Sequence, residues 1–196
     1  MVITMSTVYE MIVRRRTIRR FQQRPVAKEL LTNMVNAARL APSAANLQPL
    51  EFVIVNQTDL LAGVFVTTRW AGYIAPRGTP KEGERPVSYV VVLINRQICT
   101  SGGQHDSAAA IMSMILTAWE RGVGSCWIIS IDKKELQKLL QIPEHLEIDS
   151  ILALGYPAEQ PVVEELSDSV KYWQDEQRRL HVPKRNLVNI LHWNGY

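Results

Sequence analysis

Arg14-Arg15-Arg16-Thr17-Ile18-Arg19 puts four guanidinium groups and a hydroxyl within six residues, the densest set of anion-binding groups in the chain. Guanidinium forks meet phosphate oxygens in planar, bidentate geometry, and a threonine hydroxyl adds a neutral donor. In isolation such a run reads equally well as a solvated basic face or a nucleic-acid patch. The charge balance narrows this. Lys and Arg number 22 against 19 Asp and Glu, a net charge of only +3, so the cluster is local. A general nucleic-acid binder is more often basic along a whole face, and a phosphorylated small ligand fits better. A second polar set lies at Pro42-Ser43-Ala44-Ala45-Asn46-Leu47-Gln48-Pro49, which offers one hydroxyl and two carboxamides on a turn. Carboxamides both donate and accept, which suits a heterocycle edge of alternating C=O and N–H groups. The plain alternative for this segment is ordinary turn chemistry.

Other chemistries lack their marks. No G-x-G-x-x-G follows a strand pattern, no G-x-x-x-x-G-K-S/T is present, and no G-x-S-x-G marks a nucleophile elbow. Cys99 and Cys126 form no C-x-x-C, and His105, His145, His181 and His192 are scattered, so no metal site is expected. The two thiols read as reduced residues of a cytoplasmic protein, with Cys126 in the core. No apolar run approaches the roughly 20 residues of a membrane span. At the chain start the arginines follow the apolar residues, the reverse of a signal peptide. The expectation is a soluble, cytoplasmic protein.

The elements that must position these groups are legible from periodicity. At 196 residues the chain has the size of one domain, spanning 1–196. Val8–Val13 reads as a short helix, and Lys28–Leu40 as a longer one with Leu30, Leu31, Met34, Val35 and Ala38 at helical spacing before Pro42. Glu51–Val55 is a strand, Leu60–Val66 a helix, and 67–88 a long loop of the kind that carries function. Tyr89–Ile94 is the most hydrophobic strand, central and covered on both faces. Asp106–Arg121 is a helix rich in small residues, which suits close approach by a neighbouring helix or a second subunit. Ser125–Ile129 is a strand, Asp132 opens a helix with capping-box spacing to Glu135, and Ile148–Leu154 is the last strand. From 157 to 196 the composition turns polar, with too few apolar residues for a core of its own. Trp70, Tyr73 and Trp127 either pack or wall a pocket, while His105 and His192 read as solvent or helix-end residues.

Taken together, the motifs resemble the FMN-dependent nitroreductase family over about 170 residues. Arg15-Arg16-Thr17-Ile18-Arg19-Arg20-Phe21 is similar to its R-R-x-x-R-x-F, and Pro42 to Pro49 to its P-S-x-x-N-x-Q-P turn. Asp106 through Gly122-Val123-Gly124-Ser125-Cys126-Trp127 resembles its long central helix and following strand. Ala153-Leu154-Gly155-Tyr156-Pro157 resembles its last core strand, and Pro183-Lys184-Arg185 its basic tail motif. The resemblance implies an α+β, three-layer sandwich with a mainly antiparallel sheet flanked by helices. It further implies an intertwined homodimer whose 157–196 extension wraps the partner. FMN would sit at the subunit interface. Arg15, Arg16, Thr17 and Arg19 would contact its phosphate, ribityl chain and flavin edge. Pro42, Ser43, Asn46 and Gln48 would reach the ring, Pro42, Ser43 and Asn46 from the partner subunit. Trp127, Ile128, Ile129 and Ser130 would lie along the isoalloxazine, and Lys184 and Arg185 would complete the phosphate site. Reduced flavin gathers negative charge at its N1–C2=O edge, and either Arg15 or Arg19 would meet it. The sequence departs from the family at two places: Ile129-Ser130 stands where many members have an acidic residue and glycine, and Leu50 where a Trp is frequent.

The function so implied is reduction of nitroaromatic, quinone or similar electron-poor acceptors with NADH or NADPH by a ping-pong route. No catalytic side chain is expected, because the flavin handles the hydride. Two other classes stay open: a flavin-binding or flavin-storing protein with little turnover, and an anion- or nucleic-acid-binding module using the arginines alone.

Overall fold

The apolar run at Ser88–Asn95 forms the middle of the molecule. In a computed structural model, which describes residues 7–196, this strand (β2) lies between β1 (Leu50–Val55) and β4 (Leu146–Gly155). Strand β3 (Gly124–Ile128) lies beyond β4, and every pair is antiparallel. All of β2 is buried. Tyr89, Val91 and Leu93 face helices α3 (Thr58–Val66) and α5 (Lys133–Leu140), while Val90 and Val92 face α2 (Lys28–Arg39) and α4 (Gln104–Glu120). Two separate apolar layers thus cover a sheet buried on both faces, which explains the unbroken hydrophobicity of β2. The result is a three-layer α+β sandwich, as expected. Helix α4 begins two residues before Asp106, because Gly102 and Gly103 adopt φ of 84° and 89° and turn the chain earlier. Only half of the expected capping box at α5 forms: Asp132 accepts the Glu135 N–H at 3.1 Å, but the Glu135 carboxylate pairs with Lys138 instead.

The arginine segment leaves α1 (Val8–Arg14) and runs beside β3. The Ile18 N–H donates to the Ser125 carbonyl at 2.9 Å, and Ile18 and Phe21 are buried. Two glycines make this approach possible. Gly124 and Gly155 pair across β3 and β4. A Cβ on Gly124 would come within 2.6 Å of Ile18, and one on Gly155 within 2.9 Å of Phe21. Side-chain absence at these two positions is the condition for laying the basic strip on the sheet.

The expectation that Ile148–Leu154 is the last strand is corrected by the tail. Strands β5 (Val162–Glu165), β6 (Trp173–Gln174) and β7 (Leu180–Lys184) form a small sheet in the order β5-β7-β6, with β5 and β7 parallel. Their short, charge-interrupted sequences hide them from a periodicity argument. Nor is this part of the tail without a core. Leu180 is buried against Ala71 and Ile74 of the 67–88 loop, with Tyr172 and Val182 beside them. Arg178 grips Glu84 at 3.1 and 3.4 Å, and Arg20 meets both Glu84 and Glu159. Loop, tail and basic strip are therefore tied together by ions as well as by packing. Beyond residue 185 the character changes: Leu187, Val188, Ile190, Leu191 and Trp193 are all exposed. Among the described residues no helix is long and apolar enough to cross a membrane. The reading of the chain start against a signal peptide rests partly on residues 1–6, outside the described residues.

Candidate functional site

Arg15, Arg16, Thr17 and Arg19 converge with Lys184 on a cavity of about 190 Å³ whose other walls are Val163, Tyr172 and Val182. The strip supplies one side and the small tail sheet the other. Lys184, some 165 positions away in sequence, is brought there by the β5–β7 pairing. The Arg19 guanidinium lies over the Tyr172 ring, 4.9 Å from its centroid, and Tyr172 in turn packs against Tyr73.

No ion pair is made by Arg15, Arg16, Arg19 or Lys184 among the described residues, although the neighbouring Arg20 has two acidic partners. The Nε atoms of Arg15 and Arg16 are buried and have no hydrogen-bond partner there. Burial pulls the Arg15 guanidinium below its ordinary pKa, and burial together with the Arg15 charge does the same to Arg16. Arg16 donates instead to the carbonyl of Val13 at 2.6 Å. Cations desolvated beside one another without a counter-charge are unfavourable, and an anion among them removes the penalty. The arrangement has the chemistry of a site for a multiply charged anion such as a phosphate monoester.

Pro42, Ser43 and Gln48 line a different cavity, of about 150 Å³, together with Asp106. In this turn Ala45, Asn46 and Gln48 take φ of 49°, 55° and 52°, in the left-handed region that disfavours L-residues with side chains. The Ser43 hydroxyl donates to Asp106 Oδ2, the Ala44 N–H donates to Asp106 Oδ1 at 3.2 Å, and Ser43 Oγ accepts the Gln48 N–H at 2.9 Å. The Asn46 carbonyl accepts the Gln48 carboxamide at 3.3 Å, and Asn46 itself is exposed.

The remaining candidate residues are spread along the end of β3 and the tail. Trp127 is partly exposed on the edge of the sheet, Ile128 is buried in the core, and Ile129 is 65% exposed. Ser130 offers its carbonyl to the Arg69 N–H at 2.9 Å. Arg185 lies outside the basic cavity and donates to the Asn189 carbonyl. Trp70 is a packing residue, buried against Phe65 with its Nε1 on Thr68 Oγ1. Cys126 is buried as expected, and burial pushes its thiol up to about 11. The sequence reading missed Asp106, Tyr172, Val163 and Val182 as site residues. Asp106 was visible only as a helix-start residue, and the other three depend on a small sheet that leaves no periodic signal.

Fold and site define a three-layer α+β architecture with an anion cradle beside the sheet. The nitroreductase family model matches residues 12–77 and 89–156, and the chain belongs to that family. Among its relatives, a protein of Methanothermobacter thermautotrophicus named as a proposed NADH dehydrogenase/NAD(P)H nitroreductase is 30% identical over 166 residues, 82% of this chain and 83% of the relative. An iodotyrosine deiodinase of Thermotoga neapolitana is 27% identical, over 78% of this chain and 90% of its own length. Among solved structures, a proposed nitroreductase of Desulfovibrio desulfuricans in complex with FMN superposes with a TM-score of 0.68 at 23% identity, covering 98% of this chain and 99% of that one. Relatives of this chain are thus named for different activities.

Proposed function

We propose that this protein is an FMN-dependent oxidoreductase that uses NADH or NADPH to reduce nitroaromatic, quinone or similar electron-poor acceptors. The observation that carries the reading is the basic cavity, where Arg15, Arg16, Arg19 and Lys184 lack acidic partners among the described residues and two guanidinium Nε atoms are orphaned. This donor set fits a terminal phosphate. No glycine-rich turn is present for the pyrophosphate of FAD. In the bound state FMN supplies the hydride-transfer chemistry, so the chain has only to bind, orient and polarise.

Thr17, Arg16 and Lys184 are the phosphate ligands of this reading. Arg15, whose Nε has no partner among the described residues, is better placed than Arg19 to offset negative charge at the flavin edge, because Arg19 is already engaged on Tyr172. The Pro42–Gln48 turn lines its own cavity, apart from the one that Arg15, Arg16 and Arg19 line. In a homodimer, with each subunit lending its turn to the partner's cradle, both halves find a role. The exposed Val8, Tyr9, Ile12 and Val13 of α1 and the exposed 187–193 segment are the apolar surfaces such a dimer would cover. Donor and acceptor would use one place in turn, the ping-pong scheme, in the cytoplasm. Anaerobic mixing of the purified holoprotein with NADH and with NADPH tests the reading. Bleaching of the yellow colour, followed by its return on adding a quinone or nitroaromatic, is expected; a colour that persists with both donors overturns it.

One observation favours a second reading. The exposed Ile129 side chain can neither accept a hydrogen bond nor orient a nicotinamide amide. A flavin-binding protein with little turnover would tolerate it, and slow bleaching with unchanged FMN affinity is its signature.

A further inference from the structure

The Pro42–Pro49 turn raises a problem of its own: three of its residues hold left-handed backbone, yet the turn is exposed from Ala44 to Gln48 and has no packing to hold them. A non-glycine residue in that region is strained and persists only where the surroundings over-determine it. Two backbone hydrogen bonds close the turn on itself, Asn46 N–H to the Ser43 carbonyl at 2.9 Å and Leu47 N–H to the Ala44 carbonyl at 3.1 Å, and the Asp106 side chain ties it to α4. Asp106 is 6% exposed, lies in the first turn of α4, and spends both carboxylate oxygens on the turn. A carboxylate only accepts, so the Ser43 hydroxyl must be the donor. With its proton committed to Asp106 and its oxygen accepting the Gln48 N–H, Ser43 has no donor left for a ligand.

We propose that Asp106 is the positioning residue of the turn half-site: through Ser43 and Ala44 it holds the left-handed backbone at Ala45, Asn46 and Gln48 and so aims their polar groups at the cofactor. Ser43 is then a strut of the turn, and the recognition elements are the Asn46 carboxamide and the main chain. The inference rests on the FMN reading above.

The test uses apoprotein of the full chain, titrated with FMN by fluorescence quenching, with apoprotein melting as the control for folding. Asp106→Asn keeps the size but cannot accept at both ends. It is expected to weaken FMN binding about tenfold, as for loss of one charge-assisted hydrogen bond. Ser43→Ala should weaken it as well, and the double variant should be no worse than the poorer single one, because the two act through one linkage. Ala45→Gly placed in the Asp106→Asn background should recover much of the lost affinity, since glycine takes positive φ without steric cost. That rescue is something a general loss of stability would not show. Asp106→Asn binding FMN within twofold of wild type overturns the proposal. So do additive losses in the double variant, or no rescue by glycine. If the wild-type protein itself takes up no FMN, the functional reading fails instead, and the two failures are distinct.

Discussion

Arg15 is under opposite demands. Its guanidinium is half-buried without a counter-charge, which disfavours the folded protein alone, yet the same desolvated charge is what an anion would bind most strongly. Replacing it by methionine, which keeps much of the bulk, should therefore raise the melting temperature of the apoprotein while weakening FMN binding. The loss expected from one charge-assisted contact is about 1.5–3 kcal/mol, or roughly ten- to a hundred-fold in Kd. Melting and FMN titration on the same sample check both signs. Arg19→Ala should weaken FMN binding too, with less gain in stability, because it also removes the contact with Tyr172. These cations were legible in the sequence because charge density needs no fold to be seen. Asp106 was not, since one acid near a helix start is ordinary and its meaning lies in what Ser43 does 63 positions away. Tyr172 was hidden for a similar reason: its value is to face Arg19 and Tyr73.

Two elements have to meet for the cradle to exist, and glycine decides whether they do. Gly124→Val puts branched carbon where Ile18 now sits, 2.6 Å from the added Cβ position. Overpacking of this kind costs about 1–3 kcal/mol. The variant should melt lower and bind FMN more weakly, because the basic strip is displaced from β3; unchanged FMN titration would disconnect the strip from the site. The ion network that ties the loop and tail to the strip makes a prediction in pH. Burial alone would raise the Glu84 carboxyl, but the hydrogen bond and charge of Arg178, the charge of Arg20 and a backbone hydrogen bond outweigh it and hold the group below its ordinary 4.5. A folded value below the unfolded one gives stability that is complete above the unfolded pKa and disappears as pH falls through the folded one. Glu84→Gln should therefore melt below wild type at pH 7, with the gap closing in acid below the ordinary value of 4.5. Melting curves across that range decide it. At this scale, long periodic elements such as β2 and α2 were readable, whereas β5, β6 and β7 were not. Four, two and five residues are too few to establish a period, and Pro183 and His181 interrupt what there is.

For the molecule as a whole, the tail divides into two parts with different work. Residues up to Lys184 complete the basic cavity of their own chain, and Leu187 to Trp193 leave an apolar surface with nothing on it among the described residues. Burying such surface is worth about 25 cal/mol per Å², and the proposed homodimer would cover it. Deleting 186–196 should shift sedimentation toward monomer and lower flavin content, while Lys184 and the small sheet remain. A truncated protein that stays dimeric with full flavin would assign dimerisation to other surfaces. The burial of β2 on both faces was legible as a continuous apolar strand, whereas the three-layer arrangement around it was implied by the family resemblance. The division of the tail was not legible, since polar composition looks the same whether a segment packs on its own chain or on another. Whether the unpaired cations serve a phosphate is decided by titrating one apoprotein preparation with FMN and with riboflavin, which differ only in that group. FMN should bind at least about a hundredfold more tightly, two charge-assisted contacts being worth roughly 3 kcal/mol or more. Equal affinities for the two would contradict a role of these cations in phosphate binding.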